Sequence, residues 1–269
     1  MNYDLDKLHF VLVEILDYFV SICEKNNLRY FLVYGTALGA YRHKGFIPWD
    51  DDLDVAMPRK DYQKFLEIMQ HTNDDYILQN EGNENNWFLS FSKVRKKNTI
   101  FVESIAEDVY QYNGIYIDVF PLDNIDNIKS IQNIINTKGI CYIRHSLKFD
   151  ACKKLYKEKY SRLRYCIESV ITAPIHFASR KRVLSILNKK RIGKCTEENA
   201  KWIAEYDEPR ALSIPYEVYF PPRKIIFEGK FYSVPNKIDE YLKIVYGDTY
   251  MEMPPVGERK THQPIELKY

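Results

Sequence analysis

The order of apolar and polar positions divides the chain into recognisable elements. From Leu5 to Lys25, apolar residues recur at 5, 8, 12, 15, 16, 19 and 22. That spacing is one face of an α-helix and predicts an amphipathic opening helix. Leu28 to Tyr34 is rich in aromatic and branched side chains and predicts a strand. A Gly35-Thr36 turn and a short helix ending near Tyr41 follow. Leu53 to Met57 predicts the next strand, and Pro58, whose missing N–H is harmless in a first helical turn, leads into a helix over 61–69. Trp87 to Arg95 and Thr99 to Val102 predict strands separated by a turn at 96–98. Ile115 to Pro121 predicts another, ended by its proline. Residues 125–195 read as mostly helical, with breaks near Gly139, Pro174 and Gly193. Ile225 to Val234 predicts a hairpin turning at Glu228-Gly229, and Asn236 to Val245 a last helix stopped by Gly247. Pro254, Pro255 and Pro264 make the tail extended. The expected architecture is α/β (α+β): a mixed sheet core carrying a helical, basic insertion. Its expected parts are a core over 1–124, the insertion over 125–220, and a hairpin, helix and tail over 221–269 that pack back on the core.

At 269 residues the chain can bury a large core, as one domain or two closely packed ones. A hydrophobic fraction of 45% with 22 Tyr excludes a disordered chain. The net charge of +2 is unevenly spread: Lys138 to Lys194 holds 16 Lys/Arg against three acids, a local +13, which leaves −11 for the remainder. Such asymmetry suggests an anionic partner. The segment also contains Leu155, Leu163, Ile167, Val170, Ile171, Ile175 and Phe177, so it could lie peripherally on an anionic inner leaflet. A solvated helical face, or contact with the acidic remainder, explains it equally. A nucleic-acid partner is not expected, because the stretch lacks a recognised nucleic-acid motif and the remainder is acidic. Cysteines 23, 141, 152, 166 and 195 show no metal spacing and read as reduced cytosolic thiols. The acidic opening Met1 to Asp6 does not resemble a signal peptide. The most apolar run, Cys166 to Ala178, is too short to span a bilayer. A cytoplasmic protein, in peripheral contact with the inner membrane face at most, is expected.

Chemistry concentrates at Asp50-Asp51-Asp52-Leu53-Asp54. Four carboxylates in five residues repel one another unless cations sit between them. If a strand runs here, alternation puts Asp52 and Asp54 on one face and Leu53 and Val55 on the other. Two carboxylates beside a small-residue turn suit Mg²⁺ bridging the phosphates of a nucleotide. The plain alternative is a solvated acidic loop. Asp118, in an otherwise apolar strand, is the third candidate ligand; a buried Asp satisfied by hydrogen bonds is its alternative. Gly35 and Thr36 could hold phosphate oxygens, or Thr36 could simply cap a helix. Arg42, Lys93 and Arg95 are candidate phosphate clamps, against solvation or pairing with the acids. His43 and Trp49 are weaker candidates, the latter for stacking on a base or sugar.

The stretch from Gly35 to Asp54, GTALGAYRHKGFIPWDDDLD, closely resembles the signature of the LicD family, which includes bacterial phosphocholine transferases and is related to fukutin-type ribitol-phosphate transferases. Asp61-Tyr62, Lys93 to Thr99, Ile117 to Pro121 and Tyr246-Gly247-Asp248 with Pro254-Pro255 extend the match over nearly the whole chain, most weakly between 125 and 220. The resemblance implies a nucleotidyltransferase-like fold. It implies Mg²⁺ (two ions, or Mn²⁺ instead) on Asp52, Asp54 and Asp118 as metal-binding and catalytic residues. The residue chemistry gives Gly35, Thr36, Arg42, Lys93 and Arg95 as the expected substrate contacts, and the resemblance adds His262. A His-His pair that often follows an Arg in the family's tail is reduced here to His262, after Arg259-Lys260-Thr261. The implied reaction moves phosphocholine, or another phospho-alcohol (ethanolamine, ribitol or glycerol), from its CDP derivative to a hydroxyl of a surface glycan such as lipopolysaccharide or teichoic acid, or of a lipid-linked precursor. Nucleotidyl transfer with release of pyrophosphate is the rival chemistry on the same fold.

Overall fold

The computed structural model describes residues 3–72, 75–103, 109–192, 195–206, 212–259 and 261–269. The expected break at Gly193, the basic Lys194, the opening Met1-Asn2 and the tail Lys260 lie outside them. Helix α1 spans Leu5–Lys25, as its periodicity predicts. The Asp4 carboxylate caps it by accepting from Lys7 N at 3.1 Å, satisfying one of the helix's free N–H groups. Its buried stripe runs through Leu8, Leu12, Ile15, Leu16 and Phe19.

Strand β1 is only Phe31–Leu32, because Tyr34 turns at φ +48° and opens helix α2 (Tyr34–Arg42). Gly35 and Thr36 therefore lie in the first helical turn and not in a separate loop. Strand β2 is Asp54–Pro58, so Asp52 stands ahead of the strand and Pro58 ends it as the N-cap of α3 (Arg59–Gln70). Next come β3 (Tyr76–Gln79), β4 (Ser92–Lys96), β5 (Ile100–Val102) and β6 (Tyr116–Ile125). The expected strand from Trp87 thus begins at Ser92; residues 87–91 form a loop in which Trp87 Nε1 donates to Phe91 O at 3.0 Å. Strand β6 runs through Pro121 where a stop was expected. The antiparallel ladder on that edge stops at Val119 and resumes at Asp123, so the proline falls in the gap, where its missing N–H breaks no pairing.

The main sheet has the order β1-β2-β6-β4-β3, with β2 and β6 parallel. Strands β7 (Trp202–Glu205) and β8 (Leu212–Pro215) extend it from the far end of β6. Helices α1 and α3 cover one face, meeting where the Phe19 and Phe65 rings pack 5.1 Å apart. Between β6 and β7 lie α4 (Ile131–Ala151), α5 (Lys153–Lys159), α6 (Arg162–His176) and α7 (Arg180–Arg191). Gly139 does not break α4: Lys190 of α7 crosses it so closely that a Cβ would lie 3.0 Å from the lysine Cε. Pro174 likewise sits inside α6, close to its end. A short helix α8 (Tyr216–Tyr219) precedes the expected hairpin of β9 (Arg223–Phe227) and β10 (Lys230–Val234), which is tied to α1 by Tyr232 Oη donating to Asp17 at 2.7 Å. Helix α9 (Ile238–Tyr246) stops at Gly247, whose φ of +86° suits glycine. The tail is more than extended: β11 (Glu266–Lys268) pairs with β5 and returns the C-terminus to the core.

Candidate active site

Three strands place three charged groups in a row. The parallel register sets Asp54 of β2 opposite Asp118 of β6, and the antiparallel register sets Lys93 of β4 opposite the same Asp118. Alternation sends Tyr116, Asp118 and Phe120 to one face of the sheet and Ile117 and Val119 into the core beneath α1 and α3. Lys93 Nζ lies 2.9 Å from Asp118 Oδ1, 3.7 Å from Glu103 and 3.3 Å from the centre of the Tyr116 ring. Asp52, Asp54, Lys93, Glu103, Asp118, Lys148 and His262 form the charged part of a cavity of about 320 Å³; Tyr34, Phe88, Tyr110 and Phe120 are among its aromatic walls.

The acidic run is sorted into different environments. Asp51 turns inward and accepts from Tyr3 Oη (2.7 Å), His262 N (2.9 Å) and Gln263 N (3.3 Å). Burial pushes its carboxyl up, but the His262 and Tyr3 hydrogen bonds hold it below the ordinary value. Asp50 packs against Gly35, where a Cβ would come within 2.7 Å of its Oδ2. Burial, the Asp52 carboxylate and a shared hydrogen bond raise Asp50 to about 8. Asp50 and Asp52 therefore titrate as a coupled pair that holds a proton more readily than separate carboxyls do. Asp52 and Asp54 are both raised, first by burial and then by neighbouring carboxylates. Burial, Glu103 and Asp52 raise Asp118 to about 6, against the pull of Lys93. Glu103 is held low despite its burial, because Lys93 and His262 face it. The Asp51 hydrogen bond, with Asp52 and Glu103, raises His262 to about 9.

Of the residues singled out in the sequence, Asp52, Asp54, Lys93, Asp118 and His262 meet at this cavity. The others sit around it. Gly35 gives Asp50 room, and Thr36 Oγ1 accepts the Asp54 N–H at 2.8 Å, fixing the start of β2. Arg95 is buried, donating to Gln79 Oε1 and to Gly114 O, with its guanidinium 4.6 Å from the Tyr116 ring centre. Arg42 donates to Tyr250 O (2.9 Å) and Glu252 O (3.2 Å), bracing the segment after α9. His43 accepts from Arg42 Nε at 2.9 Å. The Trp49 ring is covered by Arg259 at 4.1 Å. Glu103, Tyr34, Phe88 and Tyr110 were not singled out. Their signal is faint: a lone acid after a strand, and aromatics in a chain where they are common.

Crowded, buried carboxylates attract a hard cation, and oxygen donors match Mg²⁺ in kind. Among the described residues, however, no group of three or more His, Cys, Asp or Glu is gathered as a cage. Lys93 draws Asp118 to itself, and Asp118 Oδ1 is buried without a directed hydrogen bond. Mg²⁺ bound beside phosphates takes one or two carboxylates, with phosphate and water oxygens completing its shell, so an open half-site fits it without a cage. A phosphate-bearing ligand at this wall would meet carboxylates able to share a cation, a buried lysine and aromatic rings.

Residues 27–166 match the family model described as LicD/FKTN/FKRP, nucleotidyltransferase domain. Over 261 residues the chain is 30% identical to the lipopolysaccharide cholinephosphotransferase LicD of Haemophilus influenzae, covering 96% of this chain and 95% of that protein. It is 28% identical over 144 residues to an uncharacterised protein of Rickettsia typhi, covering 47% of each. A 49-residue stretch is 43% identical to an uncharacterised protein of Rickettsia prowazekii, 18% of each chain.

Proposed function

The chain belongs to the LicD family, and from that premise we propose that it transfers phosphocholine from CDP-choline to a hydroxyl of a cell-surface glycan or its lipid-linked precursor, releasing CMP. The observation that carries this reading is the row Asp54–Asp118–Lys93 across three neighbouring strands, with Asp52 beside it on one cavity wall. The acceptor oxygen forms a bond to the phosphorus that carries choline. The bond from that phosphorus to the oxygen bridging to CMP breaks, and CMP leaves with the electron pair. The hydroxyl proton passes to Asp118, which Lys93 helps keep ionised as a proton acceptor. Asp52, Asp54 and Asp118 would hold Mg²⁺, one ion or two, with Mn²⁺ as an alternative occupant; the metal supplies neutralisation of phosphate charge. Asp50 shares a hydrogen bond with Asp52 as its coupled partner, and His262, whose affinity for a proton its acidic neighbours raise, lies 3.5 Å from Asp52. The aromatic walls Tyr34, Phe88, Tyr110 and Phe120 support choline as the alcohol, because ring faces favour a quaternary ammonium. Ethanolamine, ribitol and glycerol phosphates are the other donors to compare. A CDP-linked donor would place the reaction on the cytoplasmic side of the membrane.

Incubating the protein with CDP-choline, Mg²⁺ and a glycan acceptor tests the reading. CMP appearing with the acceptor and disappearing with EDTA supports it. Pyrophosphate released from CTP instead would overturn it in favour of nucleotidyl transfer. Thermal stabilisation across CDP-choline, CDP-ethanolamine, CDP-ribitol and CDP-glycerol would rank the donors.

A further inference from the structure

Helix α6 turns most of its aliphatic side chains outward. Leu163 is 72% exposed and Val170 75%, with Ile167 and Ile171 about half exposed between them. Phe177, just past the helix end, is 90% exposed. The spacing 163, 167, 170, 171 is that of one helical face. With Phe177 the row extends for roughly 21 Å. The side facing the protein is largely polar. Glu168 meets His145 of α4 at 2.8 Å, and Thr172 is fully buried with its hydroxyl on Glu168 O. Tyr142 of α4 donates to the Ile171 carbonyl at 2.9 Å, and Tyr165 packs its ring on Phe149. An ordinary surface helix buries its apolar side. Here the polar side is used for packing, and a contiguous apolar row of this length marks a contact surface.

The charges around the row select its occupant. Lys157, Lys159, Arg162, Arg164, Lys181 and Arg182, at the near ends of α5, α6 and α7, are all exposed. They belong to the segment with a local excess of +13. A second copy laid on this face would bring two such excesses together, whereas an anionic lipid surface neutralises them. Apolar residues on one side and Lys/Arg around them describe a helix that lies in a membrane interface. Among the described residues no helix is long and apolar enough to cross a membrane, so the contact is a peripheral one. We infer that the outward face of α6, from Leu163 to Phe177, docks the protein in the plane of an anionic lipid bilayer. Helix α4 links this face to the cavity, since it holds α6 through Tyr142 and His145 and carries Lys148 to the cavity wall.

The test needs neither donor nor turnover, so its outcome is separate from that of the phosphotransfer reading. The full chain is floated with vesicles of phosphatidylcholine alone, and of phosphatidylcholine with about a third phosphatidylglycerol, at low and high salt. The protein should bind the anionic vesicles at least ~10-fold more tightly than the neutral ones, and salt should weaken that binding. The double variant Val170→Asp/Phe177→Asp should lose at least ~10-fold in affinity while its thermal melt stays unchanged, because both side chains are exposed. Absence of binding at low salt, equal binding to neutral vesicles, or undiminished binding by the variant would each overturn the inference. A dimer in sedimentation equilibrium that the same variant dissociates would assign the face to a second copy instead.

Discussion

The two ends of strand β6 carry buried aspartates with opposite characters. At one end, Asp123 accepts a two-pronged hydrogen bond from Arg59, at 2.7 and 2.6 Å, and both oxygens are satisfied. At the other end, five residues earlier, Asp118 shares the point charge of Lys93 with Glu103, faces Asp54 across the ladder and is raised to about 6. A guanidinium fork closes its carboxylate into a structural unit. An ammonium among several acids leaves carboxylate capacity for a cation and a phosphate. The contrast teaches that burial alone does not fix an aspartate's environment; the geometry and surplus of its partners decide whether both oxygens are engaged or left with capacity for a ligand.

The comparison can be broken most sharply by exchanging the damage. Asp54→Asn should lower turnover ~10³-fold or more. The melting temperature of the metal-free protein should hold or rise, because burial and neighbouring carboxylates already favour the neutral form of Asp54. Turnover within tenfold of the parent would remove the site from this end of the strand. Asp123→Asn should do the reverse. It strips the buried Arg59 of its anion and should cost about 3–5 kcal/mol in urea unfolding, with turnover of the folded fraction intact.

Asp51 extends the structural class into the acidic run itself. Asp51→Ala should cost about 1–3 kcal/mol by leaving the His262 and Gln263 N–H groups without their acceptor. A larger loss of turnover than of stability would move Asp51 into the catalytic class. A pH titration separates the two ends next. Asp50, Asp118 and His262 are raised to about 8, 6 and 9, each above its unfolded value of roughly 4 or 6.5. The stability each contributes is full below the unfolded value and is lost as pH rises through the folded one. The metal-free melting temperature should therefore fall by several degrees from about pH 5 to 9, with Mg²⁺ restoring more at pH 8 than at pH 5. A flat profile would contradict the crowded-carboxylate account. The smallest expected effect is at Gly35→Ala: its methyl would meet the movable Asp50 carboxyl, so kcat should fall by no more than ~10-fold with little change in unfolding midpoint.

Much of this was legible along the chain. The opening helix appears over Leu5–Lys25 and the hairpin turns at Glu228–Gly229, because both depend on periods and turn residues within a few positions. Asp52, Asp54 and Asp118 stood out by their density and by an acid in an apolar strand. Less legible were β3, β7, β8 and β11, short strands whose pairing partners lie elsewhere in the chain. Lys93 and Arg95 are also indistinguishable in sequence, two residues apart on one strand face. In the structure Lys93 reaches the carboxylates, and Arg95 is bound to Gln79 and Gly114.

By itself, then, the sequence determined the fold class, the family and the place where carboxylates crowd, since these reside in local periodicity and in a dense motif. Only the tertiary structure decided which partners each acid meets. Asp51 finds His262 across 211 positions and Asp123 finds Arg59 across 64. The apolar face of α6 is known to be outward only because Glu168 and Thr172 are seen turned in. The physical reason is that desolvation, charge pairing and side-chain cover depend on distance in space, which spacing along the chain does not record.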